Sequence, residues 1–268
     1  MTKKNEEIFA FDINNRILVY SITGKYKRTL NTSEDLQISA YNFDDEMFLV
    51  YDTKGLLQNE YSKQPYLLMS KKDGNIIFTF DITLSERYSN RHRIQTEVNG
   101  QTTMMNYMIS HNNISQYRQD YVVSDMSSDT IYRLTKEKDL VPLIARKPSV
   151  HSSDPRIVLE AFLVSNQFIH LTKTTLDFSA ARNLTAQGGF QVPSTDLFFD
   201  IKTGETFEVT YINEDDLSGN VRRLGNTLLQ IHRLKTASEE KKLKGDLEKI
   251  VSTLDEEDNP IVMIMNFK

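Results

Sequence analysis

An all-β fold of repeated antiparallel meanders, with one helix near the C-terminus, is predicted by three features of this sequence. Short apolar runs of strand length recur from Ile8 to Tyr211, separated by turns rich in glycine and aspartate. Twelve Tyr and fourteen Phe with no Trp suit strands better than a helical bundle. The chain then ends in Ile261-Val-Met-Ile-Met-Asn-Phe267, a short apolar run read as a buried strand. A buried last strand needs a sheet already formed to receive it, so the expected architecture is closed or repeating.

Taken in order, Ile8–Phe11, Arg16–Tyr20 and Tyr26–Leu30 are strands joined by turns at Asp12–Asn15 and Thr23-Gly24. Met47–Tyr51, Tyr66–Met69 and Asn75–Phe80 repeat the idea, with turns at Asp52–Gly55 and Lys72–Gly74. From Thr83 to Gln119 the pattern loosens into polar residues, with Met104, Met105, Tyr107, Met108 and Ile109 among them. Tyr121–Ser124 and Thr130–Leu134 form a further hairpin through Asp125–Asp129. Pro142, Pro148 and Pro155 punctuate the next connection and disfavour central strand positions. Ile157–Val164 pairs with Gln167–Lys173 around Ser165-Asn166. After a loop containing Gly188-Gly189 come Asp196–Phe199, a turn ending at Gly204, and Thr206–Tyr211.

A helix is expected over about 238–255. Leu243, Leu247, Ile250, Val251 and Leu254 fall at helical spacing, Thr236 and Glu239 are placed as a capping box, and Asn259-Pro260 ends the pattern. The final strand is expected at about 261–267.

The turn glycines and their equivalents, at Gly24, Gly74, near Asp129 and at Gly204, bracket the roughly 40–50 residues per blade of propeller repeats, so the chain holds about five to six units. A single sandwich would also account for the strands, but not for so many consecutive meanders separated by longer crossings. Ile17–Leu30, Tyr41–Asp45 with the strand after it, Ser128–Leu134 and above all Leu254–Lys268 carry a resemblance. Together they are similar to the six-bladed β-propeller family abundant in Bacteroides and related gut bacteria. The resemblance implies one propeller domain over 1–268, and a truncated six-bladed ring with about five blades present, or else five units that close on themselves. It also implies a periplasmic or cell-surface setting for full-length relatives, which carry an export signal not seen in this sequence.

Composition narrows the function classes. Thirty-two basic and thirty-seven acidic residues are interspersed and give a formal charge of -5, so nothing points to nucleic acid as a partner. There is no cysteine, which excludes disulfides, thiolate nucleophiles and cysteine metal sites. The N-terminal residues lack the apolar core of a signal peptide, and no segment approaches the roughly 20 apolar residues of a membrane span.

No motif fixes a reaction, and no catalytic, cofactor-binding or metal-binding residue is assigned. His92, His111, His151, His170 and His232 are scattered without metal-site spacing and read as isolated surface or strand residues. The acidic groups Asp44–Glu46, Glu214–Asp216 and Asp255–Asp258 read as solvated turns. Ser238 and Lys241 fit a Ser-x-x-Lys spacing but belong to a helix start. Gly188-Gly189 lacks the strand and helix of a nucleotide loop. The methionines Met104, Met105 and Met108 are expected to pack within the ring. The one candidate binding patch is Arg87, Tyr88, Arg91 and Arg93, three arginines beside an aromatic ring that suit an acidic or planar ligand. The expected role is a non-enzymatic binding or scaffolding propeller whose partner is a protein, peptide or glycan. The competing class is a glycan-acting hydrolase or lyase with acids converging at the propeller centre.

Overall fold

The computed structural model describes residues 6–12, 16–33, 36–53, 63–98, 101–109, 111–179, 183–184, 192–209 and 243–253. The chain groups into two compact units, Met1–Glu205 and Thr206–Lys268.

The first unit is a succession of antiparallel meanders. Strands β1 (Glu7–Phe11), β2 (Arg16–Ser21) and β3 (Tyr26–Asn31) pair in sequence order, as do β4 (Ile38–Asn42), β5 (Met47–Asp52), β6 (Tyr66–Ser70) and β7 (Ile76–Thr79). A long hairpin follows, β8 (Arg91–Val98) with β9 (Gln101–Met108). The next meander is β10 (Ile114–Tyr117), β11 (Asp120–Val123), β12 (Thr130–Leu134) and β13 (Leu140–Ala145). Then β14 (Ile157–Val164) pairs with β15 (Phe168–Thr175). After the short β16 (Asn183–Leu184), which lies parallel to β8, the chain returns to pair β17 (Ser194–Asp200) with β15.

The order of packing follows from the strand sequences. An antiparallel strand with one wet face alternates apolar and polar residues, whereas Phe48-Leu49-Val50-Tyr51 and Tyr66-Leu67-Leu68-Met69 are apolar throughout and so need cover on both faces. That cover comes from the neighbouring meanders. Phe48, Val50, Leu67 and Met69 pack with Ile17, Val19 and Leu30 of the first, while Leu49, Tyr51, Tyr66 and Leu68 pack with Ile114, Tyr121, Val123 and Leu134 of the third. Val122 and Ile131 turn the other way, onto Ala161, Ile169 and Leu171 of the fourth. The second and third meanders are thus each covered on both faces. Pro142 lies in β13, an outer strand of its sheet, where a missing backbone donor is tolerated.

A repeated turn marks one end of these sheets. Gly24, Gly74 and Gly204 have φ of 82°, 85° and 74° and follow β2, β6 and β17. The equivalent after β12 is Lys138 at φ 73°, with the same bonding as the Gly24 turn: Thr135 N–H to Asp139 O and Lys138 N–H to Thr135 O. The sequence pattern places this equivalent near Asp129, but Asp129 lies in the β11–β12 connection. By this alignment β1–β3 correspond to the second to fourth strands of the other meanders.

In the second unit, β18 (Thr206–Glu208) and a helix α1 (Gly245–Ser252) are described. The helix is entered from Lys244 in extended conformation, φ −143° and ψ 169°, so it starts at Gly245 rather than running through from about 238. Leu243, Leu247 and Val251 are buried as expected, but Ile250 is exposed. The capping box, Asn259-Pro260 and the expected final strand lie outside the described residues. Among the described residues no helix is long and apolar enough to cross a membrane.

Candidate ligand cleft at the loop end

In a four-stranded meander the connection between strands two and three emerges at the same end as the crossing from strand four to the next sheet. The chain connections β5–β6, β7–β8, β11–β12, β13–β14 and β15–β17 therefore gather at one end, opposite the glycine turns. Two adjoining cavities of about 950 and 540 Å³ lie there and share His92, Asp154, Pro155, Leu176 and Phe178. The larger extends along β8 from His92 to Glu97, and the smaller reaches His151 and Arg156 on the β13–β14 connection. Volumes of this size are those of small-molecule sites.

An aromatic and cationic stack backs the smaller cavity, behind His151 and Arg156. The Tyr88 hydroxyl lies 2.5 Å from His151 Nδ1, and the Arg156 guanidinium sits 4.0 Å from the centre of the Tyr88 ring. Burial pushes the Tyr88 phenol above its usual range. On the other side the His92 ring meets Phe178 at 4.7 Å, and Phe178 packs edge-on to Tyr107. Burial lowers the His92 pKa and favours the neutral ring, an effect that a hydrogen bond to the Ser89 backbone opposes.

The cleft rests on a buried polar network. Arg87 Nη2 donates to Tyr51 Oη at 2.9 Å and to the Asp52 carbonyl, and Arg87 Nη1 is 3.5 Å from Asp52 Oδ2. Tyr51 donates to Asp125 Oδ2 at 2.7 Å, and Asp125 Oδ1 accepts from Ser127 N–H. Ser127 Oγ in turn accepts the Tyr88 N–H at 2.7 Å, tying the Tyr88 backbone to the network. Burial, followed by the Asp125 charge, raises the Tyr51 hydroxyl far above its usual pKa, so it stays a donor.

The four residues of the predicted patch therefore part company. Arg87 is only 8% exposed and engaged inside the fold, Tyr88 lies behind His151 and Arg156 of the smaller cavity, and Arg91 and Arg93 stand exposed on β8 opposite Met108 and Asn106. Met104 and Met108 are exposed rather than packed, because the outer face of the β8–β9 hairpin has no described sheet against it. Asp44 caps its turn by accepting Glu46 and Met47 N–H, as a solvated turn should. His111 and His170 are buried beside Glu160 and Asp196, at 3.8 and 3.3 Å, rather than lying on the surface. His92 on β8 and His151 on the β13–β14 connection, far apart in sequence, line one cavity. No local spacing could have joined them. No group of three or more metal-ligating residues occurs among the described residues.

Sheets stacked face to face, each fed by a crossing from the last, with a cleft on the gathered loops, are the organisation of a β-propeller. Residues 1–217 match the model of a 6-bladed beta-propeller family, and the chain belongs to that family. No curated protein matches the chain.

Proposed function

We propose that this chain is a non-enzymatic binding or scaffolding module, with the meanders as consecutive blades of a ring and the cleft at their loop end as the recognition site for a peptide or glycan. The observation that carries this reading is the placement of carboxylates. Acid–base work on a glycosidic bond needs two carboxyl groups held across the sugar. The buried acids Glu7, Asp52, Asp125 and Glu160 are instead engaged by Arg28, by Arg87, by Tyr51 and Ser127, and by the Asn112 N–H. Of the acids lining the cleft, Glu97 and Asp154 are exposed and Asp177 accepts the Ser179 N–H. Stacking rings and hydrogen-bonding side chains dominate the remaining wall, which suits recognition.

The test is thermal denaturation of the whole chain across glycans and peptides, with product analysis of the same mixtures. A ligand that binds only the folded state raises the melting temperature. The expected result is a shift without product that Phe178→Ala abolishes. A product whose formation depends on Asp154 or Asp177 would instead establish the hydrolase or lyase reading.

A further inference from the structure

The larger cavity runs along the edge of a strand rather than over its face. Alternate side chains of a strand point to opposite faces, yet this cavity is lined by six consecutive residues, His92–Glu97. The sheet order is β16-β8-β9, but β16 pairs only with Glu97 and Val98, whereas β9 pairs with β8 along its whole length. Among the described residues, the edge of β8 away from β9 is therefore open from Arg91 to Thr96.

The ladder fixes which groups stand on that edge. Ile109 N–H donates to the Asn90 carbonyl at 2.8 Å, so Asn90 turns its backbone groups toward β9. In an antiparallel pair this orientation recurs at every second residue, here His92, Ile94 and Thr96. The N–H and C=O of Arg91, Arg93 and Gln95 point the other way. Arg91 N–H finds a local acceptor, Ser89 Oγ at 3.0 Å. Those of Arg93 and Gln95 meet no hydrogen-bond partner among the described residues, and both residues are exposed. A row of unpaired backbone donors and acceptors is a template for another strand. Neither a proline nor a shift of register interrupts β8.

The surroundings limit what can dock. Donor and acceptor pairs repeating every second residue, about 7 Å apart, match an extended peptide backbone. The open stretch and the turn onto β16 accommodate about six residues, or about 20 Å of strand. Arg91 and Arg93 flank the edge, and Arg156 lines the adjoining cavity; none of the three has an ion-pair partner among the described residues. Against them stand Asp154, and Asp177, which accepts the Ser179 N–H. Ile94, Pro155, Leu176 and Phe178 supply apolar surface. A second copy centred on the open stretch would set Arg93 against Arg93, and like charges directly opposite are destabilising. We propose that the open edge of β8 docks an extended segment of a partner protein, which pairs its backbone with Arg93 and Gln95 and alternates acidic residues toward the arginines with small apolar residues toward Ile94 and Phe178. This rests on the binding reading above and names its ligand as a peptide, bound by strand addition.

The experiment is fluorescence-polarisation titration of the full chain with labelled, end-blocked hexapeptides: alternating aspartate and valine, alternating lysine and valine, and the aspartate peptide with every amide N-methylated. Gln95→Pro removes only the outward N–H, at an edge where proline is tolerated, and Arg93→Glu reverses the charge beside it. The aspartate peptide should bind at least about tenfold more tightly than the lysine peptide, each variant should weaken it by about tenfold, and N-methylation should abolish binding. Amide hydrogen exchange gives a second readout: Arg93 and Gln95 should exchange fast in the free chain and slow at least about tenfold with peptide, while His92, Ile94 and Thr96 are slow throughout. Protection of Arg93 and Gln95 in the free chain, preference for the lysine peptide, binding that survives N-methylation, or affinity unchanged in both variants would each overturn the proposal. If no peptide binds but a glycan raises the melting temperature, strand addition falls and the binding reading stands; if neither class binds, both fall.

Discussion

Replacing Arg87 by alanine is the perturbation that best separates a structural arginine from a ligand-binding one. An exposed loop arginine can be removed for a few tenths of a kcal/mol. Arg87 is different, because its guanidinium lies 5.2 Å from the Tyr51 ring centre, bonds Tyr51 and the Asp52 backbone, and faces an Asp52 side chain that is 0% exposed. Truncating one partner of such a pair leaves a buried charge uncompensated, at roughly 3–5 kcal/mol, with some packing on the ring lost as well. That is a large fraction of a total stability of about 5–15 kcal/mol. With no Trp in the chain, urea unfolding is best followed by far-ultraviolet circular dichroism. The midpoint should fall at nearly constant m-value. Adding Asp52→Asn to Arg87→Ala should return part of the loss, since the stranded charge is then gone. A loss below about 1 kcal/mol, or no recovery in the double variant, would refute the assignment and return Arg87 to the surface patch.

Two further outcomes follow from the opposite end of the sheets. Burial depresses Lys71 to about 8 despite the neighbouring Asp44 and Asp45, with Lys136 lowering it further. The unfolded chain therefore holds more protons than the folded one between about pH 8 and 10.5, and stability should rise across that window by on the order of 2 kcal/mol. Below it the cost of burying the charge is fully present, and Lys71→Met should flatten the slope when midpoints are compared between pH 7 and 9.5. At the repeated turn, Gly24→Ala should cost about 1 kcal/mol for its positive φ alone. Gly74→Ala should cost more, because its Cβ would lie 3.1 Å from the Asn31 carbonyl oxygen, whereas Gly24 has nothing within 4 Å. Lys138→Gly should be neutral or stabilising by up to about 1 kcal/mol, relief of the left-handed backbone outweighing the flexibility gained by the unfolded chain. A Lys138→Gly loss larger than that of Gly24→Ala would show that the turns are not equivalent.

The stacked sheets were legible because their signals are local. A strand apolar on both faces announces two neighbours, as in Phe48–Tyr51 and Tyr66–Met69, and a glycine at positive φ announces a tight turn. The Lys138 turn escaped notice because a non-glycine residue holds the left-handed conformation there, supported by the Thr135 and Asp139 bonding that sequence spacing does not display. Strands β8 and β9 escaped for a related reason. Their outer face is wet, with Arg91, Arg93, Gln95 and Glu97 opposite Met108, Asn106, Met104 and Thr102, and the inner face of β8 holds a histidine and a threonine where a core strand would hold two apolar residues. The apolar periodicity that identifies a strand is missing at the place where the strand lines a cavity.

That coincidence has a physical basis, and it explains why the site was less legible than the fold. A packing residue is chosen by its neighbours and repeats with the period of its strand, so one sequence window exposes it. A cleft residue answers to partners contributed by separate connections. Tyr88 meets His151 and Arg156 across the β13–β14 connection, and His92 meets Phe178 from the β15–β17 connection. Its neighbour Arg87 faces the other way, into Tyr51 and Asp52, because Ser127 holds the Tyr88 N–H and fixes the direction of the chain between them. The patch of arginines seen in the sequence is therefore two devices joined end to end. One is a buried brace that sets the backbone at Tyr88, and the other is the exposed face of β8, which carries charge. The brace thereby sets where the Tyr88 ring meets His151 and Arg156, so a change at Arg87 reaches the smaller cavity without any residue of that cavity being altered.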